Sequence, residues 1–132
     1  MSMRELTTDE CVELLSTVGV GRVALCLDEG PTIYPVNFVV AGLAIVFRTA
    51  VYSTLGGAIV KRPPLAFEVD EIDHERRRAW SVVARGIAEP LDDPEELDAL
   101  DPSKRLVPWV QGSRNLVVRL AWRSLEGRRV GD

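Results

Sequence analysis

The sequence predicts a mostly β (α+β) domain built around a small antiparallel barrel. Three observations carry this. Six segments of the 132-residue chain show the apolar alternation or short apolar runs of half-buried strands. Turn residues punctuate the chain between them, at Asp28-Glu29-Gly30-Pro31, Ala41-Gly42 and Lys61-Arg62-Pro63-Pro64. The longest apolar segment holds Gly86 in its middle, where a bulge or bend lets a sheet curl.

In order along the chain, Thr7 and Glu10 have the spacing of a capping box. Cys11, Val12, Leu14, Leu15 and Val18 then form an apolar stripe that Gly19 and Gly21 end. The first strand runs through Val23, Leu25 and Leu27, alternating with Ala24 and Cys26. The second spans Thr32–Val40 and the third Leu43–Arg48, joined tightly enough to form an antiparallel hairpin. Ser53–Val60 reads as a short helix stopped by two prolines, with Gly56 and Gly57 costing it about 1 kcal/mol each relative to alanine. Leu65–Val69 is the fourth strand, Asp70–Arg78 a charged connection, and Trp80–Leu91 the fifth strand. Asp92–Leu100 is an acidic helix with Asp92 or Asp93 as N-cap and Pro94 in its first turn. Ser103–Gln111 reads as irregular, and Leu116–Trp122 as the sixth strand. The length fits a single domain over 1–132.

Composition narrows the function. A net charge of −4 argues against nucleic acid as a partner, since such binding leans on clustered Lys and Arg. Arg76, Arg77 and Arg78 sit among Glu68, Asp70, Glu71, Asp73 and Glu75, a solvated mixed-charge turn. The two cysteines form no CxxC and no Cys/His cluster, so no metal is expected, and both read as small core hydrophobes. No apolar run is long enough to span a bilayer and no secretory signal is visible, so the expectation is a cytoplasmic protein without a membrane partner. His74 reads as a surface histidine.

One stretch carries a definite chemical suggestion. After the third strand come Arg48 and Thr49, then Tyr52, Ser53 and Thr54. A guanidinium fork and hydroxyls delivered to one spot suit a phosphate, with backbone N–H groups at the helix start as further donors. The alternative is a helix N-cap at Ser53 beside a solvated arginine. Pro35 places Tyr34-Pro35 at an edge or bulge, leaving backbone groups free to meet a planar ring. Asn37, in an apolar run, needs partners, and reads as a structural amide. Trp80-Ser81 offers an indole to stack and a hydroxyl to bond.

The ordered set GRVAL, YPVNFVV, VFRTA, LAFEVD, AWSVVARGIAE and the late PW, VVRL and GRRV resembles the pyridoxamine 5'-phosphate oxidase-like split-barrel flavoproteins. The resemblance is strongest to the small nitroimidazole-resistance or flavin-nucleotide-binding branch and covers about Leu6 to Val130. It implies a six-stranded split β-barrel forming a homodimer, with FMN in two clefts at the subunit interface. By position it implies that Arg48, Thr49 and Ser53 meet the phosphate and ribityl chain, with Phe47 and Thr54 also counted among the cofactor-binding positions. Backbone at Val36 and Asn37 faces the isoalloxazine, Trp80 and Ser81 join from a neighbouring strand, and Pro108-Trp109 to Arg114 closes over the cleft. The implied activity is a flavin-dependent oxidoreductase acting on a small planar molecule. The alternatives are a deazaflavin coenzyme in place of FMN, or a flavin-, deazaflavin- or haem-binding module without turnover. The chain departs from the pattern at Thr54, where relatives commonly carry Lys or Arg. One charge-assisted contact, worth about 1.5–3 kcal/mol, is missing there. Lys61 and Arg62 are the candidates to replace it.

Overall fold

The computed structural model describes residues 2–99 and 115–131. The irregular Ser103–Gln111 segment and the Pro108–Arg114 closure lie outside the described residues. Seven strands and three short helices follow in the order β1 (Met3–Glu5), α1 (Thr8–Leu15), β2 (Val20–Leu27), β3 (Gly30–Ala41), β4 (Ala44–Ala50), α2 (Thr54–Ile59), β5 (Pro64–Asp73), β6 (Arg78–Pro90), α3 (Pro94–Ala99) and β7 (Asn115–Val130).

All pairings are antiparallel, in the order β1-β7-β4-β3-β2-β5-β6, and β6 also pairs with β7. The six strands β2–β7 therefore close into a ring, the split-barrel arrangement. β7 makes the closure because it serves two partners. Its first half pairs with β4, from Ala50↔Asn115 to Ala44↔Ala121. Nearly its whole length pairs with β6, from Pro90↔Val118 to Ala79↔Val130. Arg85 faces Ser124 and Gly86 faces Trp122, so Arg123 is the extra residue of a bulge. The bend expected at Gly86 is real, and the bulged residue belongs to the strand opposite.

The barrel interior is built from alternate residues of each strand. Val23, Leu25, Phe38, Val40, Ile45, Phe47, Phe67, Val69, Val82, Ala84, Val118 and Leu120 meet there. Phe67 is its hub, edge-on to Phe38 at 4.9 Å and stacked on Phe47 at 6.3 Å between centroids. Cys11 and Leu15 of α1, and Leu55 and Ile59 of α2, join the same core. A second cluster of Val46, Leu91 and Val117 lies on the other face of β4 and β7, with Leu97 of α3 against it.

The structure adjusts several sequence boundaries. Met3–Glu5 reads as a polar start yet pairs with Arg128–Val130 of β7. The charged connection 70–78 is largely strand: Asp70–Asp73 pair with Arg78–Ser81, and only the tip turns. The sixth strand runs on to Val130, past the bulge that puts its alternation out of phase. The first helix ends at Leu15 rather than Val18. Cys26 is a correction: it lies on the exposed face of β2, and only Cys11 is a core residue. Pro35 pairs with Arg22 of β2 on one side, while pairing to β4 begins only at Phe38, so the missing donor faces an open edge.

Candidate functional site

The Arg48–Thr54 group sits where β4 ends and α2 begins. Ser53 is the N-cap of α2: its Oγ accepts from Gly56 N at 2.9 Å and donates to Ala50 O at 2.7 Å. That uses its single proton, so Thr49 Oγ1, 3.1 Å away, must be the donor in the Thr49–Ser53 bond. The Thr49 and Ser53 protons of the expected clamp are thus committed within the chain. Thr54 is exposed at the first position of α2.

Arg48 is different. Its Nε is buried and has no hydrogen-bond partner. Alternation puts it on the face of Val46, opposite to Phe47 and Thr49. A buried guanidinium N–H without an acceptor costs free energy, which an anionic oxygen would recover. The chemistry of this donor fits a phosphate. The candidates to replace the absent cation do not reach it: Arg62, beyond the other end of α2, pairs with Glu89 at 3.1 Å, and Lys61 shares that C-terminal end.

The remaining site residues divide between the two faces of the sheet. Val36, Phe47 and Trp80 point into the barrel, where Phe47 and Trp80 are buried. Asn37 and Ser81 lie on the outer face. Across that face Val20 faces Asn37, Arg22 faces Glu68, Asp70 faces Ser81, and Ser81 faces Arg128. Between Asn37 and Ser81 stands a polar cluster that the sequence did not single out. Arg22 Nη1 lies 3.1 Å from Glu68 Oε1 and 3.7 Å from Asp70 Oδ2. Burial pushes the Glu68 carboxyl up from its ordinary range; Asp70 adds to this and Arg22 opposes it.

Within the chain, Arg48 faces Val117 near the start of β7, whereas Ser81 faces Arg128 near its end. One chain alone brings Arg48, Thr49, Ser53 and Thr54 together, with Val36 and Asn37 on the neighbouring strand, and sets Trp80 and Ser81 apart. Even these two open into different spaces. Trp80 lines a cavity of about 350 Å³ beside α1, and Ser81 one of about 660 Å³ against β1. A third, apolar groove of about 520 Å³ lies over Ala24, Cys26, Pro63, Pro64 and Ile87. Ile33, 65% exposed and paired with Ala24, extends that apolar outer face, and Val20, 54% exposed, lies on the same face beyond Arg22.

No group of His, Cys, Asp and Glu able to hold a metal occurs among the described residues. None of their helices is long and apolar enough to cross a membrane.

The fold is that of a small six-stranded split barrel whose ends take short helices, with an unpartnered arginine at the β4–α2 junction. The chain belongs to the pyridoxamine 5'-phosphate oxidase family, whose model matches residues 7–129. It is 34% identical to an uncharacterised protein of Mycobacterium tuberculosis, over 96% of this chain and 84% of that one. It is 33% identical to an FAD-binding protein from Mycobacterium smegmatis, whose structure it matches with a TM-score of 0.83 over 96% of this chain and 99% of that one. An FAD-binding protein from Mesorhizobium loti, 21% identical, shares the fold with a TM-score of 0.84 over 99% of this chain and 100% of that one.

Proposed function

We propose that the protein is a flavin-binding oxidoreductase that works as a homodimer and takes a small planar substrate. The observation that carries this reading is the buried, unpartnered Nε of Arg48 at the β4–α2 junction, in a chain of this family. Arg48 would hold the flavin phosphate. Thr54, one residue past the Ser53 cap, would present its hydroxyl beside it. Thr49 and Ser53 would shape the turn rather than bond the ligand, because their protons are committed. Val36 and Asn37, on the strand beside β4, would flank the ring. A bound flavin supplies the hydride or electron chemistry; the chain supplies position, charge and exclusion of water.

Two observations support the dimer. Ser81 reaches a shared site with Arg48 only if a second copy brings it there. The outer face of β2 and β3 leaves Val20 and Ile33 uncovered, as a surface that a partner buries would. The charge and composition that argue against nucleic acid favour a small-molecule partner.

FMN is the flavin the resemblance implies. A second reading, FAD, has its own support. A phosphate monoester carries about −1.5 to −2 at neutral pH, whereas each phosphate of a dinucleotide carries a single charge. The pyrophosphate of FAD spreads its two charges over two groups, so that one arginine need meet only one of them, and the M. smegmatis relative binds FAD. Purified protein decides the class. A yellow protein whose absorbance bleaches with a nicotinamide donor supports the oxidoreductase. A flavin spectrum that no donor bleaches points to a binding module without turnover. A colourless protein that gains no flavin absorbance with FMN or FAD overturns both.

A further inference from the structure

We propose that the cavity between α1 and the β5–β6 hairpin is a second anion site. It would take a small carboxylate or phosphate with an apolar body, independently of any flavin. Only two buried side-chain nitrogens among the described residues lack a hydrogen-bond partner. One is Arg48 Nε, already placed; the other is Arg129 Nε. Arg129 lines this cavity of about 350 Å³, a size within the range of small-molecule pockets.

The register explains why an arginine stands there. After the bulge at Arg123, the inward positions of β7 are Leu125, Gly127 and Arg129. Arg129 faces Trp80, and Trp80 faces Glu71, so the indole separates the guanidinium from the carboxylate. No ion pair joins Arg129 to Glu71; the charges across the indole stay apart. Asp73 is taken by Arg76, whose Nε lies 3.9 Å from its Oδ2. Arg4, which faces Arg129 across β1–β7, is taken by Glu10 through two bonds of 3.1 and 3.0 Å. The wall therefore offers Arg129 and the exposed Arg78 as cations against Glu71 as the one uncommitted carboxylate. Trp80 and Leu14 supply the apolar side. An oxyanion in the cavity would give the Arg129 guanidinium as a whole the counter-charge the chain withholds, and its apolar body would lie on the indole.

The two oxyanion sources separate in a titration. Purified full-length protein is titrated with sodium benzoate and, separately, with inorganic phosphate, at constant ionic strength. Tryptophan fluorescence and calorimetry are the readouts. The account expects saturable benzoate binding with a fluorescence change, weaker phosphate binding, and the same benzoate affinity with or without added flavin. Arg129→Gln and Arg78→Gln should each weaken benzoate about tenfold or more, while Glu71→Gln tightens it and Arg123→Gln leaves it unchanged. Phosphate binding tighter than benzoate would remove the apolar part of the proposal. Absence of saturable binding by either probe, or unchanged affinity in a folded Arg129→Gln or Arg78→Gln protein, overturns it. A flavin reading that fails leaves this result untouched, because Arg48 takes no part.

Discussion

The barrel is closed by a short helix at α1 and another at α2, and the two are held by different means. At the α2 end the forces are short and neutral. Ser53 caps the helix and binds Ala50 and Thr49, and a Cβ on Gly56 would strike the backbone carbonyls of Ala50 and Val51, the latter at 2.8 Å. At the α1 end they are charged and mediated by side chains. Thr7 and Glu10 form a capping box, Arg4 clasps Glu10, and Gly127 lets Cys11 and Leu6 lie close on β7. Each end leaves one arginine Nε without an acceptor. The contrast is instructive. A neutral, saturated network leaves Arg48 as the main free donor at its end, whereas the charged end spends its acids on Arg4 and Arg76 and keeps a cavity open.

Substitutions at the helix ends break this comparison in a graded way. Gly56→Ala meets backbone that cannot move aside and should cost about 1–3 kcal/mol, as overpacking does, read from the urea midpoint. Gly127→Ala should cost less if Leu6 and Cys11 can shift, although the Ser81 carbonyl, also 2.9 Å away, limits the relief. A cost at Gly127 above that at Gly56 would reverse the picture of the two ends. Next in size are the caps. Thr7→Ala and Ser53→Ala should each lose roughly 0.5–2 kcal/mol, seen as faster amide exchange confined to the helix concerned. Smaller and opposite in sign is Gly57→Ala. A Cβ there meets nothing within 4 Å, so the change should stabilise by about 0.4–1 kcal/mol.

The smallest effect is on pH, and only one end should show it. The Arg4 guanidinium, with the Thr7 amide, holds the Glu10 carboxyl down from its ordinary 4.5 to about 2. A lowered folded pKa means the contribution is complete above about pH 4.5 and is lost as pH falls toward 2. Relative to the intrinsic rate at each pH, protection of the amides in the first turn of α1 should fall over that window, while Gly56, bonded to a hydroxyl, keeps its protection. Equal acid sensitivity at the two ends would contradict the assignment.

Much of the fold was legible because alternation and turn chemistry act locally. The capping box at Thr7, the β3–β4 hairpin and the stop before Pro63 all follow from neighbours in the chain. What escaped was set by distant partners. Met3–Glu5 is a strand only because β7 offers an edge, and Arg129 faces inward only because the bulge at Arg123 shifts the phase of β7. Continuing the alternation past Trp122 with one residue skipped would have found it. At the site, Arg48 could be picked out from its residue type and place. The commitment of the Thr49 and Ser53 protons could not, since it depends on where Ala50 O and Gly56 N fall in the turn. Cys26 faces outward although its strand is core-forming, because alternation alone does not say which face the barrel encloses.

Equilibrium dialysis of the wild-type protein and Arg48→Gln against FMN and against FAD tests the central claim most directly. The account predicts saturable binding of at least one flavin, weakened about tenfold or more in Arg48→Gln, in line with losing a hydrogen bond to a charged group, and unchanged in Arg123→Gln. Flavin binding that Arg48→Gln leaves intact, or no flavin binding at all, would contradict it.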